Sequence, residues 1–299
     1  MSENGHVVEI ENVTRRFGSK TALEDVTLRV QRGGVFGLVG ENGAGKTTLI
    51  KHVLGLFRAK TGRVRVFGMD PVRDPAGVLV KIGYLSEDRD LPDWMRVGEL
   101  MRYTQAFYPN WDEAYAEELR ETFRLDARDK IKNLSRGQRA QAGLLAALAH
   151  RPDLLVLDEP SSGLDPVVRR DILGAIIRTV ADEGRTVLFS SHLLDEVERV
   201  SDVAAMIHEG RIVLCAPLDE IKARHRRLTL RFEEPQTPAL PGLRGLLSST
   251  GEGRNWTVVC DGDLDELRQG AASLGGRVVE EEAMTFEEIF VARVKGQCP

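Results

Sequence analysis

The stretch "GENGAGKTT" at positions 40–48 constrains the fold of this chain more than any other feature. It has the spacing G-x-x-x-x-G-K-[ST], it follows the continuous apolar run "GVFGLVG", and it opens a helical pattern running from Lys46 through Leu54. A buried strand, a glycine-rich turn and a helix start, in that order, make a phosphate cradle of the P-loop type. Across Gly40, Glu41, Asn42, Gly43, Ala44 and Gly45 the backbone N–H groups are expected to curl around an anion, with the helix dipole behind them. Lys46 is expected to reach the terminal phosphates of a nucleotide, the Thr47 hydroxyl to ligate Mg²⁺, and Thr48 to complete the loop.

The rest of the chain supplies what such a loop requires. Two β-rich segments, "VVEIENVT" and "VTLRV", precede it, and "GRVRVFG" (Gly62 to Gly68) alternates with the period of an exposed strand. Leu91 to Leu125 turns helical: Trp111, Tyr115, Leu119 and Phe123 stand four apart, and Asn110 with Glu113 reads as a capping box. The α/β alternation then resumes with a helix from "SRGQ", the strand "DLLVLDEP", a helix with Asp165 as cap, Pro166 in its first turn and Gly184 as its stop, and the strand "TVLFSSH". "AAMIHEGRIVL" reads as a hairpin turning at Glu209-Gly210. Strands alternating with helices imply a largely parallel sheet covered on both faces.

Past about Ile221 the pattern changes. The basic run "KARHRR" leads into a strand "RLTLRF" and a Pro-rich link "EEPQTPALPG". A strand near "NWTVVCDG", a helix near "DLDELRQGAASLGG", a strand "RVVEEEA" and a last helix from about Thr285 follow. The expected organisation is a P-loop α/β domain over 1–220, with an N-terminal antiparallel β subdomain and a helical insert at about 88–133. A small α+β domain is expected over 221–299.

"LLVLDEP" ends an apolar strand in two carboxylates. Asp158, on a strand neighbouring the P-loop strand, is expected to hold Mg²⁺, and Glu159, one residue further out, to polarise an attacking water. "SRGQ" is a helix start with Ser135 as N-cap and Gln138 closing a capping box. Gly137 in that first turn lowers helix stability relative to Ala and suits a helix mouth that lets a phosphate approach. One chain thus carries two phosphate grips.

"NLSRGQ", then "LLVLDEPSSGLDP", then "FSSHLLDE" resembles the ordered motif series of the ATP-binding subunits of ABC transporters, and the resemblance runs from Val7 to about Ala216. It implies head-to-tail dimers in which the signature segment of one copy, with Ser135, Gly137 and Gln138, closes on the ATP held by the P-loop of another. It further implies that Phe17 stacks on adenine, that Asp165 lies in the loop crossing the dimer interface, and that His192 contacts the γ-phosphate and orients Glu159 and the water. Two positions depart from the family pattern: Glu87 stands where Gln is usual and is expected to face the metal, and Arg136 stands where Gly is typical. "IGYLSE" and the C-terminal "TFEEIF" are similar to bacterial drug and antibiotic exporters whose ATPase and membrane subunit are separate chains, and "YPNWDEAY" is similar to a subset of these encoded in small stress-regulated operons.

The resemblance implies ATP and Mg²⁺ as cofactors, with a second copy or a homologous ATPase subunit and an integral-membrane transporter subunit as partners. A formal charge of -5 gives no reason to expect nucleic acid. The apolar runs are shorter than the ~20 residues a membrane helix needs, and the N-terminus has no leader pattern, so the chain alone is expected to be soluble; the resemblance implies a peripheral place on the cytoplasmic face of the membrane. Cys215, Cys260 and Cys298 have no metal-ligand spacing and read as reduced thiols. A soluble ABC ATPase acting on nucleic acid or ribosomes is the competing class. The span between P-loop and signature is too short for the coiled coil of repair and chromosome proteins, and a single P-loop differs from the two cassettes of translation factors. The Asp158–Glu159 pair argues against an inactive binding module.

Overall fold

The computed structural model describes residues 5–181, 184–236 and 243–295. The chain divides into two compact units, Met1–Cys215 and Ala216–Pro299. In the first, β1 (His6–Phe17), β2 (Lys20–Gln31), β3 (Gly34–Val39), α1 (Lys46–Val53), β4 (Thr61–Val66), α2 (Pro75–Leu79) and β5 (Ile82–Leu85) come first. Then follow α3 (Val97–Gln105), α4 (Glu113–Thr122), α5 (Arg136–Leu148), β6 (Leu154–Asp158), α6 (Pro166–Ala181), β7 (Thr186–Ser191), α7 (Leu194–Val200), β8 (Val203–His208) and β9 (Arg211–Pro217). After these come α8 (Leu218–Arg224), β10 (His225–Phe232), β11 (Leu246–Glu252), β12 (Asn255–Asp261), α9 (Leu264–Ser273), β13 (Gly276–Ala283) and α10 (Phe286–Lys295).

Two sheets form the first unit. A six-stranded sheet has the order β5-β6-β7-β3-β8-β9, with β5, β6, β7, β3 and β8 parallel along it. β9 returns beside β8 through Glu209 and Gly210, whose φ values of 45° and 79° are the left-handed pair that a two-residue hairpin turn demands. The second sheet, β2-β1-β4, is antiparallel. Its inward residues Val8, Ile10, Leu28 and Val66 share one core with Phe36 and Leu38 of β3, Ile50 and Val53 of α1, and Ala205 and Ile207 of β8. β3 and α1 are therefore clamped on either side of the loop they bracket.

In β4 the alternation expected from "GRVRVFG" appears, with Val64 and Val66 inward and Arg63 and Arg65 outward. α5 starts in the expected capping box: Gln138 N–H donates to Ser135 Oγ at 3.2 Å and Ser135 N–H to Gln138 Oε1 at 3.0 Å. Asp165 Oδ1 accepts from the N–H groups of Val167 (2.9 Å) and Val168 (3.1 Å) at the head of α6, and Gly184 has a left-handed φ of 61°. The cap of α4 differs from expectation. Asp112, not Asn110, accepts from Tyr115 N–H at 2.9 Å, held there by Arg151 Nε at 2.7 Å, while Glu113 is drawn to the Trp111 indole at 2.9 Å. Trp111 lies before the helix, so the buried stripe narrows to Leu119 and Phe123.

The second unit contains a four-stranded antiparallel sheet, β11-β12-β10-β13, in which β11 is a strand the sequence pattern did not reveal. Leu228, Leu230, Phe232, Trp256, Val258 and Cys260 form its core with Leu267 and Ala271 of α9. Most of the Pro-rich link (237–242) and Cys298 lie outside the described residues. Cys215 and Cys260 are free thiols.

His150, just past α5, is buried, stacks on Tyr108 with ring centroids 3.7 Å apart, and places Nε2 3.2 Å from the Ile82 carbonyl oxygen. Burial, chiefly, pushes its pKa from the ordinary 6.5 down to about 4. A depressed histidine contributes stability that is intact above 6.5 and is lost as pH falls from there toward 4, by up to about 3 kcal/mol. His150→Gln, which keeps an N–H toward Ile82 without titrating, is expected to flatten the fall of Tm between pH 6.5 and 4.5. Thermal melts across that range check it.

Candidate active site

The C-terminal ends of β3, β6 and β7 deliver their loops to one place, where an open α/β sheet holds its ligand. A cleft of about 330 Å³ opens there, lined by Phe17, Lys20, Ala22, Asn42, Gly43, Gly45, Lys46, Thr47, Thr48, Glu87 and Glu159. α1 begins at Gly45 with no side-chain cap and no acidic residue in its first turn, so its leading N–H groups meet the cleft uncompensated. Gly45 has φ 116°, and a Cβ on it would stand 2.6 Å from the Ala22 carbonyl oxygen. Gly43, at φ 82°, faces open space instead. The first lets the loop close under itself and the second leaves room above it.

Lys46 is 5% exposed. Its Nζ donates to the carbonyls of Gly40 (2.6 Å) and Glu41 (3.1 Å) and pairs with Glu159 Oε1 at 2.9 Å. The other oxygen of Glu159 lies 2.7 Å from His192 Nδ1 and accepts the His192 N–H at 3.3 Å. Glu159 has a left-handed φ of 49°, a strained conformation for a side chain that must be aimed. Next to it Asp158 is buried, which raises its pKa, while the nearby hydroxyls of Ser190 and Thr47 oppose that rise. Among the described residues, no donor stands in hydrogen-bonding geometry to Asp158 Oδ2. Burial also raises the pKa of Glu87, and the charges of Glu159 and Asp158 add to the effect.

Asp158 was expected on a strand next to the P-loop strand, but β7 lies between β6 and β3. The intervening strand has its own part. Ser190, at its end, accepts Glu159 N–H at 3.0 Å and donates to Asp158 Oδ1 at 2.7 Å, and His192 follows directly. Ser190 and the buried Glu196 were not singled out from the sequence. Glu196 Oε2 accepts from Ser161 Oγ (2.5 Å) and Ser191 Oγ (3.0 Å) while Arg169 pairs with Oε1 at 3.2 Å, joining the loop after Glu159 to the loop of His192. The only signal for either was a polar residue where a strand or helix meets the core.

Phe17 is 43% exposed at the cleft edge, its ring set at 61° to Phe57 with centroids 5.6 Å apart and the Arg15 guanidinium 4.6 Å from its centroid. Ser135, Gly137, Gln138 and Asp165 do not line the cleft. Ser135 is exposed at the head of α5, Gln138 is engaged in the capping box, and Asp165 caps α6. Gly137 has an intrachain reason that the sequence did not reveal: a Cβ there would stand 2.8 Å from Val168 Cγ2, so the glycine lets α5 and α6 meet. Ser190→Ala removes the bridge between Asp158 and Glu159 and leaves two buried polar groups unsatisfied. The expected cost is about 2 kcal/mol, a fall in Tm of roughly 4–8 °C by calorimetry.

The family model for "ABC transporter" matches residues 23–162. The chain is 27% identical over 291 residues to the ABC transporter ATP-binding protein YtrB of Bacillus subtilis (strain 168), covering 97% of this chain and 99% of that one. It is 35% identical over 222 residues to the daunorubicin resistance ATP-binding protein DrrA3 of Streptomyces coeruleorubidus, covering 72% and 70%. Among solved structures, the ATP-binding cassette MJ0796, captured as a dimer in a post-hydrolysis state bound to ADP and Pi, is similar with a TM-score of 0.64 at 21% identity over 71% of this chain and 98% of that one. With a P-loop cleft, a carboxylate pair and a strand-end histidine assembled as described, the chain belongs to the ATP-binding subunits of ABC transporters and is an ABC ATPase.

Proposed function

We propose that this subunit dimerises head-to-tail around two ATP molecules and powers export through a separate membrane subunit. One observation carries the reading: the cleft of a single chain holds the phosphate loop and the hydrolytic carboxylate, yet the signature segment of the same chain lies outside it. Ser135 and Gly137 then serve the nucleotide of a second copy, and Asp165 crosses with them. The dimer that the MJ0796 cassette forms with ADP and Pi bound supports this arrangement.

Each residue then has a task. Phe17 offers its exposed ring to adenine. The Gly40–Thr48 backbone and Lys46 hold the phosphates, and Lys46 exchanges its bond to Glu159 for one to phosphate. Released on that side, Glu159 accepts a proton from the attacking water, and His192, 2.7 Å away, holds its other oxygen in place. Mg²⁺ fits beside Thr47, the free Oδ2 of Asp158 and Glu87, an all-oxygen set suited to a hard cation completed by phosphate and water, and it would neutralise the phosphate charge there. Closure of the second copy excludes water and completes the site, and loss of the γ-phosphate opens it.

No described helix is long and apolar enough to cross a membrane. A mainly apolar groove lined by Leu54, Leu56, Leu79, Tyr84, Leu91 and Tyr108 lies beside the loop of Glu87, and Trp94, Tyr103 and Phe107 stand exposed on the segment that follows. These support docking of a membrane subunit at the cytoplasmic face. The likeness to the daunorubicin resistance protein DrrA3 and the "IGYLSE" segment support export.

Glu159→Gln is expected to convert the protein from monomer to dimer with excess ATP, as read by light scattering. A variant that stays monomeric would sink the two-halves reading. Affinity purification of the tagged subunit from detergent-solubilised membranes is expected to recover a polytopic membrane protein in near-equal amount. Recovery only with ribosomes or nucleic acid would move the ATPase to the soluble class.

A further inference from the structure

Two loops meet beside the nucleotide cleft, and an arginine given no role above joins them. Arg89 follows Glu87 by two residues in the turn closed by Arg89 N–H to the Ser86 carbonyl at 3.2 Å. Its side chain is only 3% exposed, and its Nη2 donates to the carbonyls of Ser162 at 2.7 Å and Pro160 at 3.3 Å. Those carbonyls belong to the loop between Glu159 and Asp165. Arg89 also has a left-handed φ of 51°, a conformation a non-glycine residue holds only when its surroundings dictate it. Arg136 lies against Gly163 of the same loop, where an added Cβ would stand 2.5 Å from Nη1.

A buried guanidinium that donates from Nη2 to two carbonyls of one loop ties that loop to the backbone that carries the arginine. The geometry points to Arg89 as a positioning residue that ties the Glu87 loop to the Pro160–Asp165 loop and holds Asp165 and the Arg136 end of the signature ready for the second copy. Through it, a movement of Glu87 toward bound nucleotide shifts the surface offered to the partner. Arg89 touches neither nucleotide nor water in this scheme. Its effect falls on assembly of the dimer and on turnover, while the intrachain cleft stays whole.

This inference rests on the head-to-tail reading, and the test separates the two. In the Glu159→Gln background, Arg89→Met and Arg89→Lys are compared with the protein carrying Arg89. Single-chain ATP affinity is read by calorimetry at protein concentrations where each is monomeric, and the ATP-driven dimer constant by ultracentrifugation. Failure of the Arg89 parent to dimerise overturns the head-to-tail reading itself. With a dimerising parent, the expected result is ATP affinity within twofold for both variants, a dimer constant weakened at least tenfold by Met, and a partial recovery by Lys, which keeps the charge and reaches one carbonyl. Dimerisation within threefold of the parent in both variants overturns the role of Arg89, as does a loss of ATP affinity matching the loss of dimer. Should Arg89→Met fail to fold, the Lys variant decides alone: a dimer constant weakened at least threefold with ATP affinity held supports the role, and any other result overturns it.

Discussion

The buried contact between Lys46 and Glu159 is the junction on which the site depends. At 2.9 Å, with both side chains almost out of solvent, it joins the loop after β3 to the loop after β6, and the His192 contact adds the loop after β7. Removing one partner of such a pair leaves a buried charge uncompensated, a cost of about 3–5 kcal/mol. In the proposed function these same three groups are the ones that ATP engages. On that proposal a phosphate at Lys46 would rearrange the electrostatic tie that holds the carboxylate, and substrate binding and activation of the base would be one event.

The scaffold makes that junction possible through strand order. A parallel sheet with β3 at its centre puts the ends of β3, β7 and β6 side by side, and the antiparallel sheet packed on Ile50 and Val53 keeps α1 in register with its strand. Polar bridges then refine the placement: Ser190 binds Asp158 to Glu159, and Glu196 binds Ser161 to Ser191. Buried networks of this kind add specificity of geometry only when every member is satisfied. Among the described residues, Asp158 Oδ2 has no hydrogen-bond donor, and in the proposed function it is the oxygen that would take a cation.

Two departures from the family pattern, Glu87 and Arg136, border the same region. Glu87 stands near Asp158 and Glu159, whose charges add to burial in raising its pKa, and Arg136 lies against the loop that Arg89 clasps. Their placement concentrates what is particular to this chain at the boundary between the nucleotide cleft and the loop leading to Asp165, while the P-loop, the carboxylate pair and the strand-end histidine keep the residues of the family motifs.

The phosphate loop, the carboxylate strand end, the capping box at Ser135 and the hairpin at Glu209-Gly210 were all legible in the residues. Each depends on local chemistry: glycine conformations, capping partners and apolar runs within a few positions of one another. The cap at Asp112, the strand β11, the bridge at Ser190, the packing reason for Gly137 and the clasp of Arg89 were not legible. Arg151, Val168 and Ser162 lie far along the chain from the groups they meet, and no local pattern encodes which distant partner a polar or small residue will find. Local sequence chemistry settled which motifs this protein has and their order. Packing settled that β7 separates the P-loop strand from the carboxylate strand and that the signature stands apart from its own cleft, because strand order and helix approach depend on contacts between residues distant in the chain.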